Sequence, residues 1–280
     1  MSEVASKDHL EKGNREVITD YYVPENVEDE QDSLKFKVFV RLNAKKITFR
    51  NVCFLHCIFD NCYLNNCVFD SCNFTGCKFI GSNFHKTSFI GCKYDFATFE
   101  RCQIDDDILI SEAPIEENLK RNFARSLRIN YQQVGNAKAA NGAIKIELEA
   151  TLEYLYKSWS SKQSYYKKKY PGFLNSSTQF LKWIEFWVLD FIWGNGESIL
   201  KFVRTIGITL GIISIYDTAS GGNPSDLHEY WINLLSAPLV FLGVSCPENF
   251  SIVALSVITG IKLIFISLLT ALLVKRFSKR

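Results

Sequence analysis

A repeat of five residues runs without interruption through residues 47–106 and constrains the fold more than any other feature. Each repeat is centred on a large apolar residue: Phe49, Phe54, Phe59, Leu64, Phe69, Phe74, Phe79, Phe84, Phe89, Tyr94, Phe99 and Ile104. Two residues before each centre stands a smaller one: Ile47, Val52, Cys57, Cys62, Cys67, Cys72, Cys77, Ser82, Thr87, Cys92, Ala97 and Cys102. A period of five fits neither an α-helix nor a single β-strand. The segment is therefore predicted to be a stacked solenoid.

These twelve repeats resemble the pentapeptide-repeat family. The resemblance implies a right-handed quadrilateral β-helix in which four repeats make one coil and the central and small side chains both point inward. Twelve repeats would make three coils, about 14 Å long at the spacing of stacked strands. The alternating pattern of Leu34–Leu42 predicts a strand that caps the first coil, so the domain is assigned to residues 34–110.

The cysteines are explained by the same repeat. Seven of the nine hold the small inward position, where a free thiol packs as a compact hydrophobe. Zinc ligands converge on one point, which a ladder of residues around a coil does not do. We therefore expect packed, reduced thiols and neither a metal site nor a cofactor. Cys246 lies outside the repeats and is expected to be a packed thiol or, alternatively, an intersubunit disulfide.

The last third of the chain contains two apolar stretches, Ser198–Tyr216 and Phe250–Val274. The second is about 37 Å long as a helix and carries one charge, Lys262, so it is long enough to cross a bilayer. The first carries Lys201 and Arg204, which can reach the interface by extending their side chains. A buried helical hairpin in a soluble protein is the alternative.

The placement of charge favours the membrane. Residues 205–261 contain no Lys or Arg, whereas basic residues precede the first stretch and follow the second. The positive-inside rule then places both termini in the cytoplasm and Asp217–Asn249 outside, as in a multi-pass protein of the cell (inner) membrane. No signal peptide is expected, because Met1–Val27 is polar.

Between the two stretches, Tyr230–Val240 is predicted to be a short helix that dips into the bilayer and is followed by a loop containing glycine. This layout resembles the two-transmembrane module of the tetrameric potassium-channel superfamily, whose filter reads Thr-X-Gly-Tyr-Gly-Asp. The resemblance aligns a filter-like segment in which Gly243 and the loosely specified Leu242 match and the threonine and second glycine are absent: Phe241, Leu242, Gly243, Val244 and Ser245. The resemblance implies a homo-oligomer, a tetramer by analogy, that conducts inorganic ions.

One face of the second stretch is polar. Its residues are Ser256, Thr259, Lys262, Ser267 and Thr270. In a symmetric oligomer this face is predicted to line a pore, and a ring of Lys262 side chains would oppose cations and favour anions. Alternatively, Lys262 pairs with an acid or a lipid phosphate.

The remaining segments complete the predicted organisation. Residues 1–33 are expected to be a flexible tail because they are polar and aperiodic. Residues 111–172 are predicted to form a cytoplasmic pair of helices, with Gly135 between them, that docks on the end of the β-helix or packs between subunits. Their predicted apolar faces are Ile115, Leu119, Phe123, Leu127, Tyr131 and Val134 on the first helix, and Ile144, Leu148, Leu152, Leu155 and Trp159 on the second, from Ala137 to Tyr166. Residues 173–197 are predicted to be an amphipathic, Trp-rich helix at the membrane interface.

These features predict an α+β membrane protein that is not an enzyme, because no catalytic constellation is recognisable. The first functional hypothesis is an ion-channel-like or pore-forming subunit whose cytoplasmic repeat domain senses a signal or a partner. The alternative is a non-conducting scaffold, anchored in the bilayer, that recruits a protein through the β-helix. Mimicry of DNA would need an acidic solenoid face, whereas the net charge of +2 and the balanced outer charges favour neither that function nor a nucleic-acid partner.

Overall fold

A parallel β-solenoid occupies the first part of the chain. The computed structural model describes residues 15–278, and the chain divides between Lys157 and Ser158 into two units that are considered in turn. The strands of the first unit are β1 (Val17–Thr19), β2 (Val27–Glu28), β3 (Val38–Val40), β4 (Asn43–Lys45), β5 (Thr48–Arg50), β6 (Ile58–Asp60), β7 (Tyr63–Asn65), β8 (Val68–Asp70), β9 (Lys78–Ile80), β10 (Ser88–Ile90) and β11 (Thr98–Glu100).

The register shows that four repeats make one turn. The three sheets have the orders β1-β3-β6-β9-β11, β10-β8-β5-β2 and β4-β7, and every pairing is parallel. In the first sheet Val38 pairs with Ile58, and Ile58 with Lys78, so that corresponding residues are 20 apart. The five stacked strands of this sheet mark about four turns.

The additional turn corrects two predictions. Val17–Thr19 pairs with Val38–Val40, so these residues of the expected tail belong to the first turn of the solenoid. Leu34–Leu42 contains strand β3 and lies in the following turn, so it is not a cap. The prediction failed because the offset to the next turn is 21 residues from Val17 to Val38 and 22 from Val27 to Phe49, instead of 20, which breaks the five-residue spacing. The five-residue spacing of Leu34, Phe39 and Ala44 was a signal that the repeat begins earlier than residue 47. The expected tail of residues 1–14 lies outside the described residues.

Each corner of the solenoid is made by a residue in the left-handed conformation. These residues follow each repeat centre by two positions: Lys46, Asn51, His56, Asn61, Asn66, Ser71, Gly76, Gly81, Lys86, Gly91, Phe96 and Arg101. Gly76 is required at its corner, because a Cβ atom there would lie 2.1 Å from Nδ1 of His56 in the turn before.

The centres of the repeats stack in columns inside the solenoid. The rings of Phe54 and Phe74 are stacked nearly parallel with centroids 5.2 Å apart, and Tyr94 continues the same column 5.2 Å from Phe74. Phe49 and Phe69 stack at 4.7 Å in a neighbouring column. Because these rings are almost completely buried, each contributes about 2–3 kcal/mol of hydrophobic free energy.

The small inward residues also form hydrogen bonds between turns, which the sequence analysis did not anticipate. Sγ of Cys57 lies 2.8 Å from the carbonyl oxygen of Leu34, 23 residues earlier, and Sγ of Cys77 lies 2.8 Å from that of Phe54. Oγ of Ser82 donates to the carbonyl of Phe59 at 3.2 Å. The shared geometry explains why Ser and Thr replace Cys at this position.

Helices cover the C-terminal end of the solenoid: α1 (Ile108–Ser111), α2 (Glu117–Gln133) and α3 (Ala137–Ser160). One face of α2 pairs with the last coil as a further turn would. Oγ of Ser126 accepts from the amide of Phe99 at 2.7 Å, and Oδ1 of Asn130 accepts from the amide of Cys102 at 2.6 Å. Nδ2 of Asn130 donates to the carbonyl of Cys102 at 2.9 Å. The predicted docking on the end of the β-helix is therefore seen for α2.

The buried faces of these helices differ in part from the predicted ones. Phe123, Leu127 and Tyr131 are buried as expected, but Ile115 is 98% exposed and Val134 is exposed. Ile115 precedes α2, and Val134 is its C-cap residue. On α3 the predicted stripe of larger residues is half-buried, and the fully buried residues are small apart from one tyrosine: Ala139, Ala140, Ala143, Ala150, Tyr154 and Ser158. A pattern of large apolar residues does not reveal this buried face, because its members are mostly alanines.

The second unit is helical: α4 (Ser164–Lys169), α5 (Phe173–Trp193), α6 (Ile199–Gly221), α7 (Leu227–Leu242) and α8 (Ile252–Ser278). The predicted helix from Ala137 to Tyr166 is interrupted after Ser160, and α4 is separate. α5 lies within the predicted residues 173–197 and ends at Gly194, whose φ of +65° is left-handed. The basic Lys279 and Arg280 lie outside the described residues.

We expect Tyr94→Phe to stabilise the protein by about 1–2 kcal/mol, because a buried hydroxyl without a partner carries a desolvation cost. Tyr94 is 1% exposed, and its hydroxyl has no hydrogen-bond partner among the residues that the structure describes. The control is Tyr131→Phe, which should destabilise by about 1 kcal/mol because the Tyr131 hydroxyl donates to the carbonyl of Asp105 at 3.0 Å. Thermal unfolding of the two variants measures both; a lower Tm for Tyr94→Phe would contradict the expectation.

We expect Asn130→Ala to destabilise the protein by about 2–3 kcal/mol, because it leaves two buried backbone groups of Cys102 without partners. Gln132→Ala is the matched control, since Gln132 is exposed on the same helix and should cost less than about 0.5 kcal/mol. Amide hydrogen exchange locates the effect: the Cys102 amide should lose protection in Asn130→Ala alone. Equal protection in both variants would show that the bonds from Asn130 are dispensable.

Candidate functional site

The candidate site lies where α7 ends against α8. α7 begins at its N-cap Asp226, whose carboxylate accepts from the amide of His228 at 2.9 Å. Two polar contacts join α7 to α6: Oγ of Ser214 donates to the carbonyl of Tyr230 at 2.8 Å, and Nδ2 of Asn233 donates to Oγ1 of Thr218 at 2.9 Å. The structure confirms a helix over the predicted Tyr230–Val240 and extends it to Leu227–Leu242.

The C-terminus of α7 reaches the middle of α8. Nζ of Lys262 lies 3.3 Å from the carbonyl oxygen of Leu242, and the rings of Phe241 and Phe265 are 5.9 Å apart. α8 has 27 residues, about 40 Å, and Lys262 is about 15 Å from its first residue. α7 therefore runs alongside less than half of the length of α8 before it ends.

The chain turns at Gly243 and returns as irregular backbone. Gly243 has φ of +77°, and a Cβ atom there would lie 3.3 Å from Nζ of Lys262. Its amide and that of Val244 donate to carbonyls of the last turn of α7, at 3.0 and 2.9 Å. Leu242 to Cys246 are exposed, and among residues 15–278 the carbonyls from Gly243 to Cys246 accept no hydrogen bond. These exposed carbonyls are the acceptors that the segment offers to a ligand.

The structure brings together only some of the residues predicted for the pore. Lys262 meets the filter-like segment at Leu242 and Gly243. The hydroxyls of the predicted polar face each donate to the carbonyl four residues earlier on α8: Ser256 at 2.8 Å, Thr259 at 2.9 Å, Ser267 at 3.0 Å and Thr270 at 2.9 Å. They are exposed on the helix surface and retain lone pairs that can accept a hydrogen bond.

Acidic residues that the sequence analysis did not single out neutralise the basic ends of the apolar helices. Lys201 pairs with Asp190 of α5 at 2.6 Å, and Lys275 pairs with Glu197 in the turn that follows α5. The Arg204 guanidinium lies 4.4 Å from the centre of the Phe191 ring. Lys201, Arg204 and Lys275 therefore have partners in α5 and the turn after it. The sequence analysis predicted only that Lys201 and Arg204 extend towards the membrane interface.

A cavity of 400 Å³ lies at the C-terminal end of α6, and its lining includes acidic side chains. Its lining residues are Asp217, Gly221, Gly222, Glu229, Ile232, Asn233, Glu248 and Asn249. Nδ2 of Asn249 donates to Oδ1 of Asp217 at 2.7 Å and ties the start of α8 to the end of α6. Within the described part of the chain, no group of three or more His, Cys, Asp or Glu residues is placed to hold a metal ion.

On the solenoid, one corner carries exposed aromatic residues. Phe36, His56, Gly76 and Phe96 occupy the same corner of successive turns, and we call them the aromatic corner. Phe36 stacks on His56 with centroids 5.4 Å apart, and Phe96 is 66% exposed. Bulky residues with positive φ are strained by about 1–2 kcal/mol each, and their exposure means that burial in the core does not offset this strain. The aromatic corner is therefore a candidate contact surface.

Charges on the outer faces of the solenoid pair across turns. Arg50 lies 3.3 Å from Asp70 and 3.7 Å from Glu28, and Lys78 lies 3.6 Å from Glu100. Exposed pairs of this kind contribute little to stability, about 0–1 kcal/mol each. Their effect is to leave these faces without a strong charge of either sign.

A family model of pentapeptide repeats matches residues 57–93, in eight copies. This match agrees with the 20-residue register, and these residues are pentapeptide repeats of a β-solenoid. A comparison with curated proteins finds no match. Since the family match does not extend to residues 198–280, the resemblance to potassium channels stays a prediction.

We expect a membrane-impermeant maleimide to label Cys246 rapidly and the other cysteines slowly. Cys246 is exposed, whereas the other eight are buried, and burial raises the pKa of the Cys57, Cys62 and Cys102 thiols to about 11, which suppresses the reactive thiolate at pH 7–8. Mass spectrometry of labelled proteoliposomes gives the site. Cys246→Ser is the control, and rapid labelling of that variant would contradict the buried thiol ladder.

Proposed function

We propose that the protein is a pore-forming membrane subunit that conducts inorganic ions and carries its pentapeptide-repeat solenoid as a protein-interaction domain. The observation that carries the proposal is the position of α7, which ends halfway along α8 and is followed by exposed, irregular backbone.

Two helices are long and apolar enough to span a bilayer, Ile199–Gly221 and Ile252–Phe277. Most of the large apolar side chains of α8 are exposed: Ile252, Val253, Val257, Leu263, Ile264, Ile266, Leu269, Leu273 and Val274. The core helix of a soluble domain buries such residues, whereas lipid solvates them. Insertion of α6 and α8 in a membrane therefore accounts for their surface.

If α8 spans the bilayer, the C-terminus of α7 lies near its midplane. At that depth the backbone from Gly243 to Cys246 is tolerated only where it is buried in protein or lines a watery cavity. In the single chain it is exposed. In a symmetric oligomer this segment would be buried between subunits and would face a shared water-filled path, so the requirement would be met. The channel resemblance implies that this oligomer is a tetramer.

The remaining parts of the chain have roles in this arrangement. The hydroxyls on the polar face of α8 would line the same path, and the acidic cavity would lie at its outer mouth, where it raises the local concentration of cations. By the positive-inside rule, both termini and the solenoid lie in the cytoplasm. There the solenoid would bind a protein partner, and α5 would rest at the membrane interface with its aromatic side chains.

A second candidate function is a non-conducting scaffold anchored by the same two helices. The aromatic corner favours it, because exposed aromatic side chains are typical anchors of protein–protein contacts. On this alternative the partner binds the solenoid and the membrane unit only retains it at the bilayer.

The test is ionic current from the purified chain in a planar bilayer under a KCl gradient. We expect wild-type protein to conduct and Gly243→Ala to lose at least about tenfold of the conductance, because the added Cβ meets both a left-handed φ and the Lys262 ammonium. Gly260→Ala is the matched control on α8, since a Cβ there meets nothing within 4 Å. Absence of current from correctly inserted wild-type protein would favour the scaffold.

A further inference from the structure

We infer that the N-terminal edge of the solenoid, formed by β1, binds an extended basic segment of a partner protein, which adds one strand to the sheet. We call this surface the docking edge. The inference deepens the proposed role of the solenoid as a protein-interaction domain, and it rests on that role for the existence of a partner. The surface itself follows from contacts within the first unit.

The two ends of the longest sheet differ in what covers them. In the strand order β1-β3-β6-β9-β11, the last strand is followed by α2, and Oγ of Ser126 accepts from the amide of Phe99. At the other end, among residues 15–278, β1 pairs with β3 alone. Native proteins usually blunt such an edge with Lys, Pro or a covering element. β1 reads Val-Ile-Thr, so it carries neither of these residues.

The backbone groups on the open side belong to Val17 and Thr19. Successive residues of a parallel strand bond to opposite neighbours. The carbonyl of Glu16 and the amide of Asp20 bond to β3, at 2.9 and 3.0 Å, so Val17 and Thr19 direct their amides and carbonyls to the other side. No residue from 15 to 278 bonds to these groups. Two donors and two acceptors are therefore available to an added strand.

The apolar core is also open at this end. Ile18 begins an inward column that continues through Phe39 and Phe59, whose ring centroids are 5.0 Å apart. At the far end of the column, the ring of Phe123 in α2 lies 6.0 Å from that of Phe99. Ile18 is only half-buried, whereas Phe39 is 3% exposed. An inward apolar side chain on an added strand would complete the burial of Ile18.

The charge of the first turn identifies the chemistry of the partner. Residues 16–33 contain no Lys or Arg and seven acidic residues: Glu16, Asp20, Glu25, Glu28, Asp29, Glu30 and Asp32. A second copy of the chain stacked end to end would bring two such turns together, so repulsion between like charges opposes this occupant. A segment that carries Lys or Arg is attracted to the same edge.

The structure contains an example of a basic strand that pairs with this turn. β3 lies on the other side of β1, within the alternating segment Leu34–Leu42 (Leu-Lys-Phe-Lys-Val-Phe-Val-Arg-Leu). Two ion pairs flank its inward Phe39: Lys37 with Glu16, and Arg41 with Asp20 at 2.6 Å. A partner segment of the same pattern would place its basic residues at the rim of the first turn and its apolar centre over the open core.

The binding test uses a fluorescein-labelled peptide with the sequence of Leu34–Leu42 and the full chain in zwitterionic nanodiscs. We expect fluorescence anisotropy to show saturable binding with a Kd of about 100 μM or tighter. A peptide with its three basic residues changed to Glu should bind at least about tenfold more weakly, because it meets the acidic turn with like charge. Empty nanodiscs control for partitioning into lipid. Binding no greater than that of empty nanodiscs would overturn the inference.

N-methylation of the peptide tests strand addition on the unmodified protein. In a parallel strand that continues the ladder, the amide copied from Phe39 donates to the carbonyl of Val17, whereas the amide copied from Val40 points away. N-methylation at the Phe39 position should therefore weaken binding at least about tenfold, and at the Val40 position less than about threefold. Equal losses at the two positions would contradict strand addition.

Thr19→Pro tests the docking edge from the side of the protein. Proline removes one of the available amides and is tolerated in an edge strand whose N–H faces solvent. Peptide affinity should fall at least about tenfold, while Thr19→Ala, which keeps the amide, should match wild type. Hydrogen exchange locates the contact in wild type, where the peptide should protect the amides of Val17 and Thr19. Protection elsewhere in the chain, without these two amides, would overturn the inference.

Further outcomes separate the docking edge from another occupant and from the proposed pore. Peptide binding that appears only after removal of residues 1–14 would assign the edge to that segment and overturn the inference. Peptide binding without ionic current would support the docking edge and contradict the pore. Ionic current without peptide binding would contradict the docking edge and leave the pore supported.

Discussion

Backbone hydrogen bonding between turns 20 residues apart is the interaction on which the first unit depends. The amide of Lys78 donates to the carbonyl of Cys57 at 2.9 Å, and the amide of Thr98 continues the ladder to Cys77 at 3.0 Å. Because each strand has only two or three residues, no strand is stable alone, and stability comes from stacking many short pairs around columns of aromatic rings. The thiol and hydroxyl bonds to carbonyls 23 residues earlier reinforce the same stack from inside.

A ladder of this kind must end, and the way it ends shapes the rest of the first unit. The last coil presents unpaired amide and carbonyl groups that would otherwise recruit another strand. Side chains of α2 satisfy them, with Asn130 taking the place of a backbone residue on both the donor and the acceptor side. α3 then holds α2 through Glu147, which bonds to Nε of Arg125 and of Arg128 at 2.8 Å.

The second unit also has backbone groups at the end of an element that need hydrogen-bond partners, namely the carbonyls at the C-terminus of α7. The C-terminus of α7 leaves carbonyls near the middle of α8, and Lys262 supplies a donor to one of them. This contact connects the two parts of the candidate site, since without it the glycine turn and the polar face of α8 would be separate features. It also gives Lys262 a reason to lie within a helix that otherwise has no charge before Lys275.

The amino-acid sequence by itself determined the solenoid, the spacing of its inward residues and the two apolar helices, because each of these is a periodic or compositional property of neighbouring residues. It also indicated Gly243 and Lys262 separately. Only the tertiary structure decided that Val17–Thr19 belongs to the stack, that alanines form the buried face of α3 and that Asn130 ends the ladder. It alone placed Lys262 on the carbonyl of Leu242, 20 residues away in the chain. These features depend on hydrogen bonds and close approaches between residues distant in sequence, which no local pattern records.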